Sequence, residues 1–124
     1  VLEGRPFVGF ALVTDAARAK AFYCGRLGLQ IVHEDEFAVV LDAAGTRLRL
    51  VVVDTVPEPA GTNAGWLVDD VSAVARQLAA TGVAFERFPG LDQDADGVWR
   101  TPSGGGVAWF RDPDGNRLSV SDTS

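Results

Sequence analysis

FVGFALVTDAARAKAFYCGRLG, residues 7–28, changes its period in the middle. Phe7–Thr14 is a β-rich apolar run, and the Asp15 that ends it can accept from the free N–H groups of a first helical turn. From there Ala19, Phe22, Tyr23 and Leu27 recur at three- and four-residue spacing, which predicts an amphipathic helix. Gly28 stops it, because glycine accepts the left-handed backbone that a helix C-terminus often requires. Three strand candidates follow: Leu29–His33, Phe37–Leu41 and Arg47–Val53, with Ala43-Ala44-Gly45 as the turn between the last two.

The second half repeats this order. Ala64–Val68 reads as a strand ending at Asp69-Asp70. Val71, Val74, Ala75, Leu78 and Ala79 form a helical stripe closed by Gly82. Val83–Phe88 reads as a strand, and a long glycine- and aspartate-rich loop leads to Val107–Phe110, a tight turn and Arg117–Val120. Each half is therefore βαβββ, and the capping residues Asp15 and Asp70 lie 55 positions apart. Two copies of about fifty residues make paired modules, since a solenoid needs three or more. The expected organisation is one α+β domain over residues 1–124: module one at about 6–53, a linker at 54–62 containing Pro57, Pro59 and Gly61, and module two at about 63–122.

Composition narrows the function classes. A chain of 124 residues favours one domain with one ordinary core. The 47% hydrophobic and 23% charged content excludes wholesale disorder. Apolar runs such as Leu50–Val53 are too short to span a bilayer. A net charge of −6 opposes binding to a phosphate backbone, which needs a clustered basic surface. One cysteine excludes an intrachain disulfide, and no basic-then-apolar leader opens the sequence. The expectation is a cytoplasmic protein with no membrane or nucleic-acid partner.

The pieces Val13-Thr14-Asp15, Ala21-Phe22-Tyr23, Leu27-Gly28-Leu29, Val68-Asp69-Asp70-Val71 and Phe110-Arg111-Asp112-Pro113-Asp114-Gly115-Asn116 occur in that order. Together they resemble the vicinal-oxygen-chelate superfamily, the glyoxalase, bleomycin-resistance and extradiol-dioxygenase group, from Phe7 to Asp122. The resemblance implies paired βαβββ modules whose mostly antiparallel strands curve around a concave cavity. It also implies a homodimer, which unpaired strand edges independently favour.

Metal-using members of that superfamily place one His or Glu on a cavity-facing position in each of four strands. The resemblance puts these positions at Val8, Asn63, Arg49 and Ser119, none a strong ligand for a divalent cation. The expectation is a site without metal or other cofactor. Asp92-Gln93-Asp94-Ala95-Asp96-Gly97 copies the opening of a calcium loop, but Ser103 stands where a bidentate Glu belongs, so a solvated acidic loop is expected. His33, the single histidine, reads as a surface or structural residue. Cys24 and Lys20 lack the surroundings that activate a nucleophile. Asp112–Asn116 is a turn between the last two strands.

Strand alternation assigns faces. Gly9, Ala11 and Val13 pack on the helix, leaving Val8, Phe10, Leu12 and Thr14 on the cavity side. Leu48, Leu50, Ala108, Phe110, Leu118 and Val120 are core, whereas Arg47, Arg49, Val51, Val107, Trp109, Arg117, Ser119 and Ser121 take the other face. Phe10 and Trp109 either line the cavity or fill core space. Trp99, among glycines in the long loop, either closes over a ligand or packs on a second subunit. Arg49, if buried, needs an acceptor: an internal carboxylate or an anionic ligand. The candidate ligand-binding residues are Phe10, Arg49, Trp109, Trp99, Ser119, Asn63 and Val8. Two readings follow: a binder of a small aromatic or carbonyl- or carboxylate-bearing molecule, or a lyase or isomerase with a non-standard or absent metal site, for which Glu34 or Glu86 would be the base.

Overall fold

The structure is a computed structural model that describes residues 1–122. It divides into two units, Val1–Pro57 and a second beginning at Glu58. Each is built on an open four-stranded mixed sheet.

The first unit contains β1 (Val8–Val13), α1 (Ala16–Lys20), β2 (Gln30–Glu34), β3 (Ala38–Ala43) and β4 (Thr46–Val52). The strand order is β1-β4-β3-β2, with β1 parallel to β4 and the remaining pairs antiparallel. Asp15 caps α1, its carboxylate accepting from Arg18 N–H at 3.0 Å. Ala11, Val13, Val39, Leu41, Leu48 and Leu50 are buried with Ala19, Phe22 and Tyr23, so the helix-facing side of the sheet is as alternation predicts.

The helix itself departs from expectation. Its α-helical part ends at Lys20, and Ala21–Arg26 is wound as a π-helix, with Leu27 N–H donating to the Phe22 carbonyl at 3.1 Å. Two consecutive aromatic residues, Phe22 and Tyr23, are both buried there, with rings edge to face at 5.3 Å. Gly28 follows at φ +81°, as a helix terminator should.

The second unit contains β5 (Ala64–Leu67), α2 (Val71–Ala80), β6 (Trp99–Arg100), β7 (Gly106–Arg111) and β8 (Arg117–Ser121), in the order β5-β8-β7-β6. β5 is parallel to β8 and the other pairs are antiparallel. Asp70 caps α2 by accepting from Ala73 N–H at 3.0 Å, repeating the role of Asp15. Phe110, Leu118, Ala108 and Val120 are buried, again matching the alternation.

The expected strand Val83–Phe88 is not continuous. Phe85 forms a single bridge to Phe110, and Glu86 N–H donates to the Trp109 carbonyl, after which the chain leaves the sheet. It returns as β6, where Trp99 pairs with Val107. The edge of β7 is thus shared by two short segments, and Trp99 belongs to a strand instead of a free loop. The excursion between them is held by its own polar side chains. The Asp94 carboxylate accepts from Asp96 and Val98 N–H, while the Gln93 amide ties together Phe88, Glu86 and Gly97 backbone groups. These residues build a loop, and no group of three ligating side chains forms among the described residues. At the last turn, Asp112 accepts from Asp114 and Asn116 N–H, both at 2.9 Å, with Gly115 at φ +87°. Among the described residues, no helix is long and apolar enough to cross a membrane.

Candidate functional site

Register builds the site on the open face of the first sheet. Phe10 lies opposite Arg49, Arg49 opposite Val40, and Val40 opposite His33, so these four form one row across all four strands. The Arg49 guanidinium stands 5.8 Å from the Phe10 ring centroid, a cation–π contact that orients both. With Asp35 and Phe37 they line a cleft of about 320 Å³. Phe10 is 54% exposed, so it lines the cleft and does not fill core.

Arg49 is exposed, which corrects the buried guanidinium considered from the sequence. A long side chain on an open sheet face keeps its charge in water while its stem packs on neighbours. Within the first unit no carboxylate is paired with it, whereas its neighbour Arg47 is held by Asp42 at 2.8 Å. Val8, at the end of the Arg47 row, is apolar and 38% exposed.

His33 reaches this face through a β-bulge. Between Ile31 and His33 the register of β2 on β3 slips, which sets His33 opposite Val40. Simple alternation from Ile31 assigns that place to Val32, so counting along the sequence misses it. His33 Nε2 is 3.3 Å from Asp35 Oδ2, and Asp35 Oδ1 accepts from Phe37 N–H (2.8 Å) and Ala38 N–H (3.0 Å). The Phe37 and Ala38 N–H groups hold the Asp35 carboxyl below its usual range, so it is an ionised acceptor near neutral pH.

The second unit arranges its polar groups differently. Glu86 accepts from Arg117 Nε at 2.9 Å and from Arg111 Nε at 3.1 Å, and Arg111 also reaches Glu58 at 2.7 Å. Burial pushes the Glu86 carboxyl up, but the hydrogen bonds from Arg117 and Arg111 outweigh it and hold it below its ordinary value. The Arg117 guanidinium lies 5.4 Å from the Phe88 ring, Phe88 meets Trp109 edge to face at 5.4 Å, and Trp109 stacks on Trp99 at 6.4 Å. Trp99 and Trp109 are half-buried and stack side by side on adjacent strands. Ser119 sits against Gly65, where a Cβ would lie 2.4 Å from its Oγ. Asn63 is committed to the backbone: its Oδ1 accepts from Arg117 N–H at 3.0 Å. The sequence reading thus supplies two groups, Phe10, Arg49 and Val8 in one unit and Trp99, Trp109, Ser119 and Asn63 in the other.

The four positions where metal-using relatives carry ligands do not fit a divalent cation. Val8 has no donor, Arg49 is itself a cation, Asn63 spends its carbonyl on Arg117, and Ser119 offers only a neutral hydroxyl. The candidate bases and nucleophiles are also occupied. Glu34 pairs with Lys20 at 2.8 Å, Glu86 with two arginines, and burial pushes the Cys24 thiol up, away from its reactive thiolate.

Two βαβββ modules, each with a mixed four-stranded sheet, define a protein of the vicinal-oxygen-chelate fold. The chain belongs to the Glyoxalase/Bleomycin resistance protein/Dioxygenase superfamily, whose family model matches residues 8–120. No curated protein matches it. Among solved structures it resembles a member of the same superfamily from Sphaerobacter thermophilus (22% identity, 98% of each chain covered, TM-score 0.74). It also resembles a lactoylglutathione lyase from Agrobacterium tumefaciens (22% identity, 95% of this chain and 92% of that one, TM-score 0.73). A bleomycin-binding protein crystallised with bleomycin is similar as well (24% identity, 95% and 98%, TM-score 0.72). At these identities the likeness establishes the fold and leaves the reaction open.

Proposed function

We propose that the chain binds a small aromatic molecule bearing a carboxylate or carbonyl group, without a metal. The observation that carries this is Arg49: a guanidinium with no carboxylate partner in its unit, standing over Phe10 in a 320 Å³ cleft. Five fixed donors suit a carboxylate or carbonyl oxygen, and the adjoining rings of Phe10 and Phe37 suit a flat apolar body. The stacked pair of Trp99 and Trp109, with Ser119 nearby in sequence register, offers a second stacking surface of the same character. A lyase or isomerase reading lacks comparable support, because Glu34 and Glu86, the bases it would need, are tied up by cations.

Calorimetric titration with benzoate, on protein first treated with a chelator, tests the proposal. Binding by the wild type is expected to survive chelation and to weaken roughly tenfold in Arg49→Leu, the scale of one charge-assisted hydrogen-bonding group. Unchanged affinity in Arg49→Leu, or binding that needs added metal, contradicts it.

A further inference from the structure

The cleft that carries Arg49 holds a second polar group at its other side, and the two differ in kind. Arg49 only donates. His33 is different, because Asp35 decides which of its nitrogens carries a proton. Asp35 Oδ1 is taken by Phe37 and Ala38 N–H, and Oδ2 faces His33 Nε2 at 3.3 Å. An ionised carboxylate is acceptor-only, so Nε2 is the donor in this pair. In the neutral ring this leaves Nδ1 as an acceptor on a side chain that lines the cleft.

We infer, resting on the binding function proposed above, that this cleft selects a hydroxylated aromatic carboxylic acid, its carboxylate on Arg49 and its hydroxyl donating to His33. Arg49 and His33 lie in one cross-strand row with Val40 between them. Two strand spacings separate their backbones, about 10 Å, and both side chains line the cleft between them. That span accommodates one ring with a substituent at each end. Val40 supplies an apolar floor for the ring, and Phe10 and Phe37 supply walls. A carboxylate at both ends is disfavoured, because the second would face the Nδ1 lone pair and the nearby Asp35 charge. An ether in place of the hydroxyl has no proton to give.

The test compares benzoate, 3- and 4-hydroxybenzoate and 4-methoxybenzoate by calorimetry, on wild type and His33→Phe. His33 is an exposed side chain, so the substitution spares the core. The better hydroxybenzoate is expected to bind wild type roughly fivefold more tightly than benzoate, the scale of one added hydrogen bond. Methoxybenzoate is expected to gain nothing. In His33→Phe the hydroxyl preference is expected to disappear, so that hydroxybenzoate and benzoate bind this variant equally well. Benzoate binding with no hydroxyl preference, or a preference that persists in His33→Phe, overturns this inference and leaves the binding reading intact. Failure of every acid to bind wild type overturns both.

Discussion

The two modules place different chemistry on equivalent positions of one scaffold. In the first, the parallel pair β1/β4 sets Phe10 beside Arg49; in the second, the parallel pair β5/β8 sets Gly65 beside Ser119. One pair projects a ring and a guanidinium from the sheet, and the other is so small that Ser119 occupies the space a Gly65 side chain would need. Arginines differ as well. Arg117 and Arg111 are clamped by Glu86, whereas Arg49 has only the Phe10 ring for company in its unit. Unit two uses its charges to hold itself together. Unit one leaves a charge available, and the proposed ligand recognition by the first sheet rests on that difference.

The largest effect expected from breaking this contrast is at Glu86. Glu86→Ala leaves two guanidinium groups without their shared acceptor and should destabilise the protein by about 2 kcal/mol. This falls below the ~3–5 kcal/mol typical of a fully buried pair, because about a fifth of the Glu86 side chain (21%) still meets water. The loss should also depend on pH. A carboxyl held below its ordinary value of 4.5 contributes stability that is fully present above that value and disappears as pH falls through the lowered one. The melting difference between wild type and Glu86→Ala should therefore be largest near neutral pH and shrink as the pH falls below 4.5. A pH-independent difference would place the effect in packing instead.

A smaller effect is expected at Gly65. Gly65→Ala puts a Cβ 2.4 Å from Ser119 Oγ and should cost about 1 kcal/mol in urea denaturation. Adding Ser119→Ala removes that atom and should restore most of the loss. Equal stability of the single and wild-type proteins would show that this pair is not packed as described.

The smallest effect is expected at Arg47. Its pair with Asp42 is exposed on both sides, so Arg47→Ala should change stability by about 0.5 kcal/mol or less and lose even that at high salt. A loss above 1 kcal/mol would mean that charges on the first sheet are structural, as they are on the second.

Legibility in the sequence followed local periodicity. The two capping aspartates, the alternation that buries Leu48, Leu50, Leu118 and Val120, and the turn at Asp112–Asn116 are all set by neighbours within a few residues. The strand at Val83–Phe88 was less legible because its partner edge on β7 is divided between Phe85 and Trp99, a long-range arrangement with no local signature. The π turn at Ala21–Arg26 escaped for a related reason, since Phe22 and Tyr23 satisfy an ordinary helical stripe nearly as well. On the open face of the first sheet, parity places Phe10 and Arg49, and the family resemblance singles out Arg49 among the residues there. Parity does not place His33 and Asp35, because a bulge in β2 changes the parity between Ile31 and His33. Glu86 was legible as a carboxylate but not as the shared partner of Arg111 and Arg117, which depends on how the two strands and the interrupted segment come together.

The most direct test of ligand recognition by the first sheet is a backbone-amide NMR titration of wild type and Arg49→Leu with benzoate. Shifts in the wild type should concentrate in β1, β3 and β4 around Phe10, Val40 and Arg49, and should collapse in Arg49→Leu at unchanged melting temperature. Shifts confined to the Trp99 and Trp109 strands, or an identical pattern in both proteins, would contradict it.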